Sequence, residues 1–316
     1  MRRLISLLGC LIIGMFFVPA AASFAEGRPS IIATVFPAYD FARELTGGTA
    51  DVSMLLPPGS EIHSYEPTPQ DIIAIQNADL FIYTGGESDH WIEEILNSMG
   101  SSAPQTFRLA DSVTLLEEPA SESMQLQHSQ THDHGHDHEH GEMDEHVWTS
   151  PRNVMQICRD LSDLLCRLFP ENAAQYEAAL NTYLSQLTEL DAAFTETVSA
   201  GKRDLIIFGD RFPFRYFAAA YGLHYDAAFP GCSEDSEPSV RTVISLVDTV
   251  REQQIPVVFY IEFSSRRTAD ILAEETGAKP LLFHSCHNVS ADEIEAGATY
   301  LNLMHQNVLA LKEALN

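Results

Sequence analysis

Apolar positions in the first half of the chain fall into short runs, "SIIATVF", "DVSMLL" and "LFIYTG". Stretches with helical spacing separate them, from about Tyr39 to Leu45, Thr68 to Asn77 and Trp91 to Met99. This alternation predicts parallel strands joined by helical crossovers. The pattern then changes. Val154, Ile157, Leu161, Leu164, Leu165 and Leu168 recur at helical spacing, and Tyr176, Leu180, Tyr183, Leu184, Leu187, Leu190 and Phe194 do so again. Pro170 separates these two helices and Gly201 ends the second, each at a position that suits a helix boundary. A helix over 171–199 would span about 40 Å at 1.5 Å per residue, enough to run the length of two lobes as a stiff connector.

Beyond it the strand and helix alternation resumes with "DLIIFG", "HYDAAF", "VVFYIE" and "PLLFH". The helices between and after them run from about Phe214 to Tyr221, Val240 to Gln253, Arg267 to Thr276 and Gly297 to Leu315. The expected architecture is therefore α/β: two lobes with parallel sheets flanked by helices, at 26–168 and 202–316, joined by the linking helix. A length of 316 residues suits two such cores. Ligands of open α/β sheets bind at the carboxyl ends of the strands, so the cleft between the lobes is the expected site.

Two segments stand outside this pattern. Arg2 and Arg3, the apolar run Leu4 to Val18 and the small-residue stretch ending Ser23-Phe24-Ala25 have the layout of a signal peptide over 1–25. Leu7-Leu8-Gly9-Cys10 resembles a lipobox, but cleavage there would leave the following apolar residues on the mature chain. No later segment approaches the ~20 apolar residues that span a bilayer. The expected location is the periplasm or the cell surface. The second segment, 117–145, is almost devoid of apolar residues and reads as a surface loop rich in His and acids.

The balance of 45 acidic against 18 basic residues, a formal charge of −27, disfavours nucleic acid, whose affinity for proteins rests on Lys and Arg. It draws cations. "HSQTHDHGHDHEHGEMDEH" places His128, His132, His134, His136, His138 and His140 among carboxylates ahead of His146. Imidazole is the commonest side-chain ligand for Zn²⁺ and also suits Cu²⁺ and Ni²⁺. Ordering such a loop costs about 1–2 kcal/mol per residue, so it is expected to serve as an auxiliary, weaker binder. A selective site calls for ligands on strand ends and helix entries. His63 follows the turn "PPGSE", His146 precedes the helix opening at Pro151, Asp210 ends "DLIIFG" and His284 ends "PLLFH". Four protein ligands close a tetrahedral shell, which binds and carries a metal and leaves no position for an activated water.

Cys158 and Cys166 lie eight residues apart on one helix, about 12 Å of rise against the ~7 Å limit for a bridge. They are expected to be thiols. Cys232 and Cys286 sit at the ends of expected strands and are expected to pair as a disulfide.

"TVFPAYDFARELTG", "LLPPGSEIHSYEPTPQDI", "ADLFIYTGG", "DEHVWTSPRN", "YFAAAYGL", "FYIEFSSRRTADILAEETGAK" and "YLNLMHQNVLALKEAL" together resemble the zinc and manganese ABC-transporter solute-binding protein family, in its zinc-binding, His-rich-loop branch. The resemblance covers nearly all of the mature chain in order. It implies His63 and His146 as metal ligands, Zn²⁺ as the carried ion with Mn²⁺ as the alternative, and an ABC permease as partner of a monomer. The family's third ligand is His or Glu just after the first strand of the second lobe. "FGDRFPFRYF" offers Asp210 there, beside Arg211. The fourth is an Asp in a segment like "LFHSCHN", which offers His284, or His287 as a stand-in. Glu262 is a further carboxylate near the cleft with a structural role. The rival functions are an exported zinc hydrolase, using Glu262 as base, and a His-rich metal buffer or adhesin. His90, His224 and His305 read as surface or helix residues, and Trp91 and Trp148 as packing.

Overall fold

The computed structural model describes residues 27–60, 65–117, 143–231 and 237–316. Two four-stranded parallel sheets carry the fold. The first runs β2 (Asp51–Met54), β1 (Ser30–Ala33), β3 (Leu80–Tyr83), β4 (Gln105–Arg108). Helices α1 (Phe36–Thr46), α2 (Pro69–Gln76) and α3 (His90–Met99) lie between its strands in the chain. Then come α4 (Pro151–Leu168) and α5 (Ala173–Ala200). The second sheet runs β6 (His224–Pro230), β5 (Leu205–Phe212), β7 (Val257–Tyr260), β8 (Lys279–Leu282). Its helices are α6 (Arg215–Tyr221), α7 (Val240–Glu252), α8 (Arg267–Thr276), the short α9 (Ala291–Glu295) and α10 (Tyr300–Leu315). In each sheet the second strand of the chain lies outside the first and the third lies on its other side, so both have a topological switch point where the chain reverses direction across the sheet.

Local chemistry sets the boundaries. Thr68 and Ser290 close capping boxes with Asp71 and Glu293, satisfying amide donors at the starts of α2 and α9. Gly209 interrupts the apolar part of β5 because a Cβ there would lie 2.5 Å from the Ala269 Cα. The missing side chain lets α8 press against the strand just ahead of Asp210.

The two lobes share a core. Tyr176, Tyr183, Leu187, Leu190 and Phe194 form the buried face of α5, and Phe41 of α1 meets both Tyr183 and Tyr300, at ring-centroid distances of 6.4 and 5.3 Å. Beside them Asp40, fully buried, accepts the Tyr300 amide at 2.8 Å and the Arg43 guanidinium at 2.6 Å. The first lobe thus holds the opening amide of the last helix.

Burial pushes the Asp40 carboxyl up to about 6, against the pull of the Tyr300 amide and the Arg43 charge. The folded chain therefore holds this proton more tightly than the unfolded chain, and Asp40 contributes stability below its ordinary value of 3.8 that is lost as pH rises through about 6. Urea unfolding at pH 4 and pH 7 should show Asp40→Asn gaining on the wild type as pH rises. An unchanged difference between the two proteins would refute this linkage.

Cys158 and Cys166 are free thiols, the first fully buried. Cys286 is also a free thiol, sealed in the shared core, with its Sγ 3.9 Å from the His284 carbonyl. This corrects the expected Cys232–Cys286 disulfide at its Cys286 end, where the sulfur is taken up by core packing. Cys232 lies outside the described residues.

Candidate metal centre

The segment that leads to His146 enters through a clamp. Glu117 and Met143 form an isolated antiparallel bridge, and the Asp144 amide donates to the Leu116 carbonyl at 2.9 Å. From the second lobe, the Tyr216 hydroxyl donates to the Asp144 carbonyl at 2.7 Å and accepts the Leu116 amide at 3.2 Å. With residue 144 held on both sides, its carboxylate organises His146. Asp144 Oδ1 accepts the His146 amide at 2.8 Å and faces the ring Nδ1 at 3.2 Å. A carboxylate on Nδ1–H selects the tautomer in which Nε2 carries a lone pair, the form that ligates metals. His146 is 1% exposed, and its ring meets the Trp148 ring at 5.5 Å.

The facing segment leaves the end of β8. His284 is buried: its amide donates to Asn307 Oδ1 at 2.7 Å, and its carbonyl accepts Asn307 Nδ2 at 2.8 Å. The ring Nδ1 accepts the Cys286 amide at 2.9 Å, while Nε2 faces Glu293 Oε1 at 3.7 Å. Burial alone would lower its pKa, but the Glu262 and Glu293 carboxylates hold it above the ordinary value. The nearby His284 ring draws Glu293 down to about 2. Nδ1 is occupied by an amide, while Nε2 is buried beside Glu293 with no hydrogen-bond partner.

His287 is the imidazole of this segment that meets His146. Their rings stand perpendicular with centroids 5.4 Å apart, and His287 packs at 5.0 Å from Trp148. Glu262 supports the turn from below. Its carboxylate accepts the Ser285 amide at 2.8 Å, the Ser285 hydroxyl at 2.5 Å and the His287 amide at 3.2 Å, which is the structural role expected of it.

Asp210 lines the cleft of the second lobe together with Glu262. Its oxygens accept the Arg211 amide at 2.8 Å and the Ile261 amide at 3.2 Å, tying β5 to the end of β7. Burial raises its pKa, opposed by a hydrogen bond from Ser264 and by these amides. Asp210, Arg211, Glu262, Ser264 and Arg266 line a cleft of about 160 Å³ at the carboxyl ends of the second sheet. His63 lies outside the described residues, as do His128, His132, His134, His136, His138 and His140. Among the described residues no three His, Cys, Asp or Glu side chains converge as a ligand set. The structure brings the His146 and His287 rings together, while Asp210 accepts two backbone amides and His284 is held through its backbone and Nδ1.

The family described as "Zinc-uptake complex component A periplasmic" matches residues 31–314. The chain belongs to this family. The family's description is of an uptake component. Among relatives, the high-affinity zinc uptake system protein ZnuA of Bacillus subtilis is 32% identical over 286 residues, covering 90% of this chain and 87% of that protein. The zinc-binding lipoprotein AdcA of Streptococcus pneumoniae is 30% identical over 289 residues, 92% of this chain but 56% of AdcA, so the chain spans little more than half of that relative. Among solved structures, the Zn(II)-bound ZnuA-like domain of S. pneumoniae AdcA superposes with a TM-score of 0.75 at 27% identity, covering 92% of this chain and 99% of that one. The metal-dependent lipoprotein YcdH of B. subtilis gives 0.76 at 29% identity, covering 91% and 99%. The family's two-lobed fold is the one expected from the sequence. Among the described residues no helix is long and apolar enough to cross a membrane.

Proposed function

We propose that this chain is the extracytoplasmic zinc-capturing component of an ABC-type importer, and that it carries one Zn²⁺ between its lobes and hands it to a membrane permease. The observation that carries this reading is the perpendicular pair His146 and His287, one from each side of the cleft, with the His146 tautomer set by Asp144. His63 is the third imidazole in this reading, and a water or the cleft carboxylate Asp210 fills the fourth position. Three imidazoles suit Zn²⁺, whereas Mn²⁺ prefers oxygen-rich shells with more ligands. The charge of −27 concentrates cations around the protein, and the His-rich segment serves as a weaker auxiliary binder. The protein acts as a monomer in the periplasm or at the cell surface. The names of its relatives agree with zinc as cargo, since ZnuA and AdcA are described as zinc-uptake and zinc-binding proteins.

Competition with a chromophoric chelator tests the reading on three proteins: the chain without residues 1–25, a deletion of 128–140, and His63→Ala. The deletion should lose only weak sites, and His63→Ala should lose the tight one. If tight binding leaves with the deleted segment and survives His63→Ala, the protein is a His-rich metal buffer and the cleft is not its site.

A further inference from the structure

The turn bearing His287 belongs to the second lobe by sequence, yet much of its hydrogen bonding reaches the first. Trp148 Nε1 donates to the Ser285 carbonyl at 2.9 Å, the Phe36 amide to the His287 carbonyl at 3.3 Å and the Gly59 amide to the Val289 carbonyl at 2.9 Å. The strongest link is a side chain. Asn288, 2% exposed, directs Nδ2 to the Pro57 and Ser60 carbonyls, both at 2.8 Å, while Oδ1 accepts the Val289 amide at 2.8 Å. Both amide hydrogens and the amide oxygen are thereby used, and both hydrogens cross between the lobes. The two carbonyls bracket the turn "PPGS" that follows β2, where Gly59 takes φ +78°, a left-handed conformation that suits glycine.

We propose that Asn288 is a positioning residue for metal binding, an inter-lobe clasp that sets the spacing between the turn presenting His287 and the 57–60 turn that leads to His63. This rests on the reading of His63, His146 and His287 as ligands. Asn288 adjoins His287, and the turn it grips ends three residues before His63. A change in lobe spacing therefore moves two ligand-bearing segments at once, and an ion that needs both is held in proportion to how well the clasp fixes them. Pre-organised ligands bind more tightly because less ordering remains to be done when the ion arrives.

The variants are Asn288→Ala, which removes the amide, and Asn288→Leu, which keeps the branched shape without donors or charge. Each is compared with wild type and His287→Ala by chelator competition for Zn²⁺, by the visible spectrum of the Co²⁺-loaded protein, and by thermal unfolding of the metal-free protein. Two neutral hydrogen bonds set the scale. Both Asn288 variants should remain folded, bind one Zn²⁺ about tenfold more weakly and show an altered Co²⁺ spectrum. If both bind Zn²⁺ within about twofold of wild type and give its Co²⁺ spectrum, even with a lowered melting point, Asn288 is merely structural and the clasp is overturned. If wild type has no tight site, or His287→Ala binds as tightly as wild type, the ligand assignment fails first and the clasp falls with it.

Discussion

Replacing His287 with alanine should weaken zinc binding at least about a hundredfold, because loss of a partner outside the coordination shell alone costs 10–100-fold and His287 is read as a ligand. The metal-free protein should melt close to wild type, since His287 is only partly buried and its ring adds contacts at the surface of Trp148. His284→Ala should do the opposite. His284 is buried, its ring accepts the Cys286 amide and faces Glu293, so its loss removes support from the turn and lowers the melting point far more than its removal touches the ligand set. Chelator competition paired with thermal melts of both variants separates the two roles. Tight binding that survives His287→Ala and vanishes with His284→Ala at unchanged stability would reverse the assignment.

The largest loss of stability is expected at Trp148. Truncating a buried Trp to alanine costs about 3–5 kcal/mol, and the ring's hydrogen bond and its contacts with two imidazoles leave with it here. Its Nε1 donates to the Ser285 carbonyl at 2.9 Å, its faces meet His146 and His287, and its backbone carbonyl accepts the Tyr300 hydroxyl at 2.8 Å at a position the truncation would loosen. Trp148→Phe keeps much of the ring but strands the Ser285 carbonyl, a smaller loss of about 1–3 kcal/mol. Urea unfolding of both variants checks the order. A Trp148→Ala protein within about 1 kcal/mol of wild type would contradict the burial that places this ring at the joint of the lobes.

Most of the fold could be read from alternation because its strands are short apolar runs with helices between them. Helices such as Thr68 to Asn77 needed only a cap and a pattern, and the structure starts that helix one residue later, at Pro69. The strand Gln105–Arg108 gave no such signal. It is an edge strand whose residues are partly or largely exposed, so only Phe107 stands out as a large apolar residue. The strand β5 runs on to Phe212, past the polar pair Asp210 and Arg211, because its pairing with β6 continues through a register shift. Periodicity stops where charges begin, and backbone pairing does not.

The site was legible to a different degree. His146 was visible from its place between a His-rich segment and a helix start. Choosing between His284 and His287 was beyond spacing, because both lie on one turn and only the path of the backbone decides which ring faces the cleft. Cys286 takes φ +61° between them, a left-handed conformation uncommon for a residue with a side chain. With this bend, His284 turns to the core and His287 turns to His146. "HSCHN" carries no mark of that bend, although two His three residues apart at a strand end are signal enough to keep both as candidates.

The bridge between Glu117 and Met143 brings the two ends of the intervening segment to neighbouring-strand distance, about 5 Å. Tyr216 holds that gate from the second lobe, accepting the Leu116 amide and donating to the Asp144 carbonyl. The position is therefore a natural port for exchange of sequence. A shorter linker, a different metal-binding repeat or a fluorescent reporter could be grafted between these two residues with only the logarithmic entropy of a longer or shorter loop to offset, which would turn the same scaffold into a family of zinc sensors with adjustable front ends.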